Sequence, residues 1–211
     1  RCCHGVGNNQ HAGVAFQYGV DLSRPQYGTS MGQTPEETHP MLLICTASDG
    51  HNLQLAQTLL SVAEDLNIDA KILDLTTIDL PLFTPAREKK KGRPAALDLV
   101  EPLFAEARGL AICSPEYNGS IPPVFTNTLA WVSRKTSDFR RLFNGKPVML
   151  ATHSGGHGQK MLMAIRVQLS HLGCTVIGHD IATNKDKPLN RESVRSVLIL
   201  MGKMVEQTGA A

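Results

Sequence analysis

Three short loops carry the residues able to do chemistry, and each follows an apolar run. The first is Thr46-Ala47-Ser48-Asp49-Gly50-His51-Asn52, which opens into a helical pattern. Such a loop turns backbone N–H groups and small hydroxyls toward an anion at a helix N-terminus. It has neither the GxxxxGK spacing of a triphosphate loop nor the GxGxxG of a dinucleotide fold. A monophosphate held by Ser48, Asn52 and backbone amides fits it, and so does an ordinary strand-to-helix turn capped by Asp or Ser. Asp49 counts mildly against an anion unless its side chain turns away.

The second loop is Pro115-Glu116-Tyr117-Asn118-Gly119-Ser120-Ile121-Pro122-Pro123. Asn118-Gly119 favours a tight turn with positive φ and consecutive free amides. Pro122 and Pro123 suit a helix start, where a missing N–H costs nothing. With the flat face of Tyr117, the loop can grip the rim of a planar heterocycle, or it is simply a structured turn. The third loop, His153-Ser154-Gly155-Gly156-His157-Gly158, is glycine-rich, so the backbone can approach a flat ring without a Cβ in the way. His153 and His157 lie four apart, with His51 as a third imidazole. They straddle a glycine loop rather than one helix face, and no carboxylate or Cys completes a metal set.

The elements that must position these loops alternate. Continuous apolar runs at 41–46, 70–75, 110–114, 146–152 and 174–178 read as strands buried on both faces. Helical periodicity covers 52–66, 95–107, 124–134, 159–172 and 191–207, with Leu53, Ala56, Leu59, Leu60 and Ala63 as the first apolar stripe. The stretch 80–94 reads as a Pro-punctuated loop. Its basic run Arg87, Lys89, Lys90, Lys91 and Arg93 is either a solvated face or a reach toward nicotinamide phosphates. Five strands alternating with five helices give a doubly wound α/β domain, a parallel sheet most simply ordered 2-1-3-4-5. Ligands then bind beyond the carboxyl ends of the strands, where the three loops lie.

Composition narrows the class. The chain has 211 residues, 42% hydrophobic, with a formal net charge of +2. That suits one α/β domain and gives no nucleic-acid footprint. No apolar run approaches the roughly 18 residues of a membrane helix. Cys45, Cys113 and Cys174 sit singly in apolar runs with no CxxC, as reduced thiols of a cytoplasmic protein do. Residues 1–39, which include Cys2 and Cys3, show no sustained period and read as an extension ahead of the domain 40–211. Met31 makes a natural start within it.

Ser114 to Pro122, SPEYNGSIP, resembles the signature of the NAD(P)H-dependent FMN reductase family, flavodoxin-like quinone, azo and chromate reductases. Asn127, Leu129, Trp131 and the stretch Leu80-Pro81-Leu82-Phe83 continue the resemblance, which covers 41 to about 207. It implies a flavodoxin-like three-layer sandwich binding FMN, with NADPH or NADH as donor. It further implies that Pro115, Glu116, Tyr117, Asn118 and Gly119 line the isoalloxazine, that Ser48 and Asn52 hold the phosphate, and that Ser154, Gly155, Gly156 and His157 lie against the ring. The first loop departs from the family pattern GSxRxxSxN in lacking its Arg and second Ser, so phosphate binding is either weaker or leans on backbone amides and His51.

The implied reaction is hydride transfer from NAD(P)H to flavin N5, then electron transfer to a quinone, azo compound, free flavin or metal oxyanion in a ping-pong scheme. The resemblance also implies a homodimer or homotetramer, with Phe125, Trp131 and Val132 as candidate contacts. The competing readings are a flavodoxin-type electron carrier, a flavin-binding regulator and a hydrolase built on Ser154 with His157 or His153. The last lacks a GxSxG elbow.

Overall fold

The computed structural model describes residues 42–134 and 139–208. The extension 1–39 and Met41 lie outside them. Strand β1 is Leu42–Thr46, helix α1 His51–Asp65, β2 Ala70–Asp74, α2 Pro85–Lys91, α3 Leu97–Glu106 and β3 Gly109–Cys113. Then follow α4 Pro123–Val132, β4 Pro147–His153, α5 Gln159–His171, β5 Thr175–Val176, β6 Ile181–Thr183 and α6 Arg191–Thr208. All the strand pairs are parallel, in the order β2-β1-β3-β4-β5, and β6 also pairs with β4. This is the flavodoxin-like order expected from the alternation.

Strand periodicity divides the core. In β1, Leu43 and Cys45 join one cluster with Leu97, Phe104, Phe125, Trp131 and Ile165 of α3, α4 and α5. Leu42 and Ile44 join the other with Leu55, Leu59, Val194 and Leu198 of α1 and α6. Side chains that alternate at period two must be covered on both faces, hence three layers. In α1 the buried stripe is Leu55, Ala56, Leu59, Val62 and Ala63, rotated from the expected one, and Leu53 and Leu60 lie at its margin.

Two expectations are corrected. The stretch 80–94 is not all loop. Thr84 accepts a bond from Arg87 N as N-cap, Pro85 takes the first helical position, and Gly92 closes α2 at φ +69°. These are strong start and stop signals, and they frame the basic run as a short helix whose lysines sit favourably in its last turn. The fifth strand is also broken. After Val176 the chain leaves the sheet and resumes at Ile181, while Arg166 donates to the carbonyls of Val176 (3.2 Å) and Ile177 (2.8 Å) and pairs with Asp180. A guanidinium thus binds the two carbonyls at the point where the strand ends.

Candidate functional site

The first loop leaves β1 and starts α1 at Gly50, which carries no side-chain cap, and the first turn holds no acidic residue. Neither Asp49 nor Ser48 caps this helix. Among the described residues, the amides of Ser48, Asp49, Gly50, His51 and Asn52 donate to nothing, and hydrogen bonding of the turn begins with Leu53 N to Gly50 O at 3.0 Å. Five consecutive free N–H groups thus stand at the positive end of a 15-residue helix, the kind of end that suits an anion. Ser48 is buried at its base, and Thr46 Oγ1 donates to its carbonyl at 2.8 Å.

Asn52 also makes contacts that the sequence did not suggest. Its Nδ2 donates to His153 O at 3.1 Å, and its Oδ1 accepts from His153 N at 2.8 Å. The amide is buried and faces the main chain of β4, so it fixes the distance between the first and third loops.

In the second loop, Tyr117 and Ser120 exchange backbone bonds of 3.1 and 2.9 Å around Asn118 (φ +52°) and Gly119 (φ +73°). Both central residues being left-handed makes this a type I′ turn, as the Asn-Gly pair predicts. No described residue accepts from the Asn118 or Gly119 amide. The Lys160 side chain lies alongside, its Cδ 3.4 Å from where a Gly119 Cβ would stand. Pro115 is buried, and Tyr117 is about half exposed.

The second and third loops are stitched together. Ser154 Oγ accepts from Glu116 N at 2.9 Å and contacts Thr152 Oγ1 at 3.1 Å. Glu116 Oε2 accepts from Met161 N at 3.2 Å, so this carboxylate caps α5 from another loop. That occupies part of the helix end otherwise available to a negative ring. Gly155 and Gly156 have nothing within 4 Å of a built Cβ and stand exposed. His157 takes φ +64°, and its Nδ1 lies 3.0 Å from Asn184 Nδ2.

These contacts leave no hydrolytic dyad. The Ser154 hydroxyl is buried against Glu116 N and Thr152, and both nearby imidazoles turn to other partners. His153 Nδ1 meets Thr183 Oγ1 at 3.1 Å, and its ring lies 4.5 Å from that of His51, centroid to centroid. Burial, then the neighbouring His51, hold His153 below the ordinary histidine range.

The candidate interface residues are corrected: Phe125, Trp131 and Val132 are fully buried in the core of this chain. Trp131 Nε1 donates to Pro81 O at 2.6 Å, and Phe83 packs edge-on against its ring. Asn127 binds Phe83 N, Leu80 O and Pro81 O. The second half of the motif therefore moors the loop after β2. Sequence reading missed Thr183 and Asn184, buried polar residues behind the third loop. Asn184 Oδ1 accepts from Asp186 N and Lys187 N, an Asx turn that Asn-Lys-Asp directly after a short apolar run could have signalled.

Comparison with known proteins decides the family: the family described as NADPH-dependent FMN reductase matches residues 41–187. The chain belongs to it. FMN with a reduced nicotinamide donor is the cofactor set of that family. A quinone reductase of Escherichia coli (strain K12) is 33% identical over 78 residues, 37% of this chain and 40% of the relative. A 2-hydroxy-1,4-benzoquinone reductase of Burkholderia sp is 34% identical over 112 residues, 52% of this chain and 57% of the relative. The alignments thus span less than two thirds of these curated relatives. Among solved structures, the flavoenzyme NAD(P)H:(acceptor) oxidoreductase of Paracoccus denitrificans superposes with a TM-score of 0.60 at 17% identity, covering 79% of this chain and 96% of that one. At that identity the likeness is one of fold.

Proposed function

We propose that this chain is an FMN-containing oxidoreductase that takes hydride from NAD(P)H and passes the electrons to a small acceptor of the quinone class. The observation that carries this reading is the uncapped start of α1, with five free amides, at the same sheet edge as the free-amide turn at Asn118-Gly119. One suits a monophosphate, and the other the polar rim of a planar ring. The residues present fit FMN, which when bound supplies the hydride and electron chemistry itself.

The chain's own residues bind and orient. Ser48 and the amides of 48–52 hold the phosphate, and Asn52 keeps that cradle in register with the third loop. Pro115, Tyr117, Asn118 and Gly119 line the ring. Gly155 and Gly156 let the backbone come within van der Waals distance of it, and Ser154 and Glu116 lock the two ring-binding loops together. His157, pinned by Asn184, stands at the rim. No side chain acts as nucleophile or metal ligand. Donor and acceptor take the same exposed side in turn, a ping-pong order. The basic residues of α2 offer positive charge to nicotinamide phosphates.

Met163 and Val167 are 67% and 71% exposed, one turn apart on α5. An apolar pair so placed supports a homodimer or homotetramer joined through that helix. Among the described residues no helix is long and apolar enough to cross a membrane, and the buried free thiols Cys45, Cys113 and Cys174 fit the reducing cytoplasm.

The test is steady-state NADPH oxidation by the FMN-loaded protein with and without 1,4-benzoquinone. Quinone-dependent turnover that fits parallel double-reciprocal lines supports the reading. Tight FMN binding with no NADPH oxidation would replace it with an electron carrier.

A further inference from the structure

The first loop contains no Lys or Arg, although the group it is built to hold is a dianion. It does contain one imidazole, His51, and a second, His153, lies beside it. His51 opens α1 and His153 ends β4, and their rings lie 4.5 Å apart at an interplanar angle of 36°. Asn52, next in sequence to His51, fixes that spacing by its two bonds to the His153 main chain.

Each ring places its Nδ1 against an oxygen. Thr183 Oγ1 donates its proton to Thr152 O at 2.9 Å, so toward His153 Nδ1 it accepts. His51 Nδ1 meets Gln54 Oε1, which only accepts, at 3.2 Å. With hydrogen on Nδ1, each neutral Nε2 is a bare acceptor. Neither Nε2 has a partner among the described residues. Toward a phosphate oxygen, an unprotonated Nε2 is repulsive and a protonated one is a charge-assisted donor.

We propose that His51 and His153 form a proton-coupled clamp on the FMN phosphate, so that FMN binds more tightly as pH falls toward neutrality. The inference rests on the FMN reading above. Without an anion, His153 is held below its ordinary range by burial and then by the neighbouring His51. A bound dianion reverses that preference, so the complex takes up protons that the free protein lacks. Charged groups on the elements around the pair include Asp49 in the first loop, Glu116 in the second, His157 in the third, Lys160 at the start of α5, and Lys185, Asp186 and Lys187 after β6. Their signs are mixed, and Asp49 adds to the need for a protonated neighbour. The phosphate monoester loses its own second proton near pH 6, so the effect is read above that.

The experiment titrates the full chain with FMN and with riboflavin, by quenching of flavin fluorescence, from pH 6.5 to 8.5. One unit of histidine pKa rise on binding corresponds to about tenfold in affinity. FMN affinity is expected to rise at least about tenfold from pH 8.5 to 6.5, with riboflavin affinity flat. In His51→Gln, a change at an exposed position, the FMN slope is halved or less, and in His51→Gln/His153→Asn it is gone. In parallel, inorganic phosphate added to the wild-type chain raises the apparent pKa of both rings by NMR. FMN binding that ignores pH, or a slope unchanged in the double variant, overturns the clamp and leaves the FMN reading standing. Binding of neither flavin at any pH overturns both.

Discussion

Asn52 and His153, 101 positions apart, are joined by two hydrogen bonds that tie the first turn of α1 to the last residue of β4. One buried carboxamide satisfies a main-chain donor and a main-chain acceptor at once, and the distance between the first and third loops follows from it.

Asn52→Ala strands both His153 backbone groups. Leaving such groups unpaired costs about 1–3 kcal/mol each when buried, and His153 is half-buried, so we expect a loss of about 2 kcal/mol. FMN affinity falls as well, although the side chain faces protein. Asn52→Asp keeps the acceptor, sets a carboxylate against His153 O, and behaves no better. Chemical denaturation with and without FMN checks both.

Gly158 and Thr152 make a second constraint. Gly158 sits at φ +65°, and a Cβ there would lie 3.0 Å from both Thr152 Cγ2 and Oγ1. Gly158→Ala incurs about 1–2 kcal/mol of left-handed strain together with the clash. Adding Thr152→Ala removes the clash and leaves the strain, so the double variant regains part of the loss. Thermal melts of the three proteins read this directly.

Ser154 is a strut. Ser154→Ala takes the acceptor from Glu116 N and is expected to destabilise by about 1 kcal/mol while loosening the ring-binding loops, seen as weaker FMN binding. The wild-type protein is not labelled by a serine-reactive fluorophosphonate; stoichiometric labelling at Ser154 would revive a hydrolase.

The buried titratable groups set the alkaline limb of stability. Burial pushes the Cys45 and Cys174 thiols up to about 12, and Cys113 higher still. The native chain keeps these protons while the unfolded chain releases them from about pH 9. Their contribution is therefore complete below that pH and is lost above it. Lys146, whose Nζ donates to Phe104 O, acts in the opposite sense, because burial brings it down to about 8. The unfolded chain binds that proton more strongly, so from about pH 8 to 10.5 Lys146 makes stability rise with pH. Lys146→Met is expected to lose stability more steeply than the parent over that window, measured by urea midpoints. At neutral pH all three thiols resist maleimide until the protein is unfolded, as peptide mapping would show.

The legible parts of this molecule were those that a local pattern controls. The run Leu42–Thr46 is apolar throughout because β1 is covered on both faces, and Asn118-Gly119 took the turn that its φ preference demands. Helix α2 was equally legible from Thr84-Pro85 and Gly92, but its charge density drew attention from its caps. The broken edge strand was not legible, because Cys174–Gly178 is apolar enough to continue and is interrupted by Arg166 from another helix. The same holds in the site. The residue types in the three loops suggest an anion and a flat ring, whereas the contacts of Asn52, Ser154 and Glu116 depend on partners 101, 38 and 45 positions away.

The central claim is tested most directly by an anaerobic spectrum of the protein loaded with FMN. Bound flavin gives bands near roughly 370 and 450 nm, a property of the cofactor itself. The account predicts that one equivalent of NADPH bleaches them and one equivalent of 1,4-benzoquinone restores them. Failure to retain flavin after soaking with FMN, or bands that NADPH leaves untouched, would contradict it.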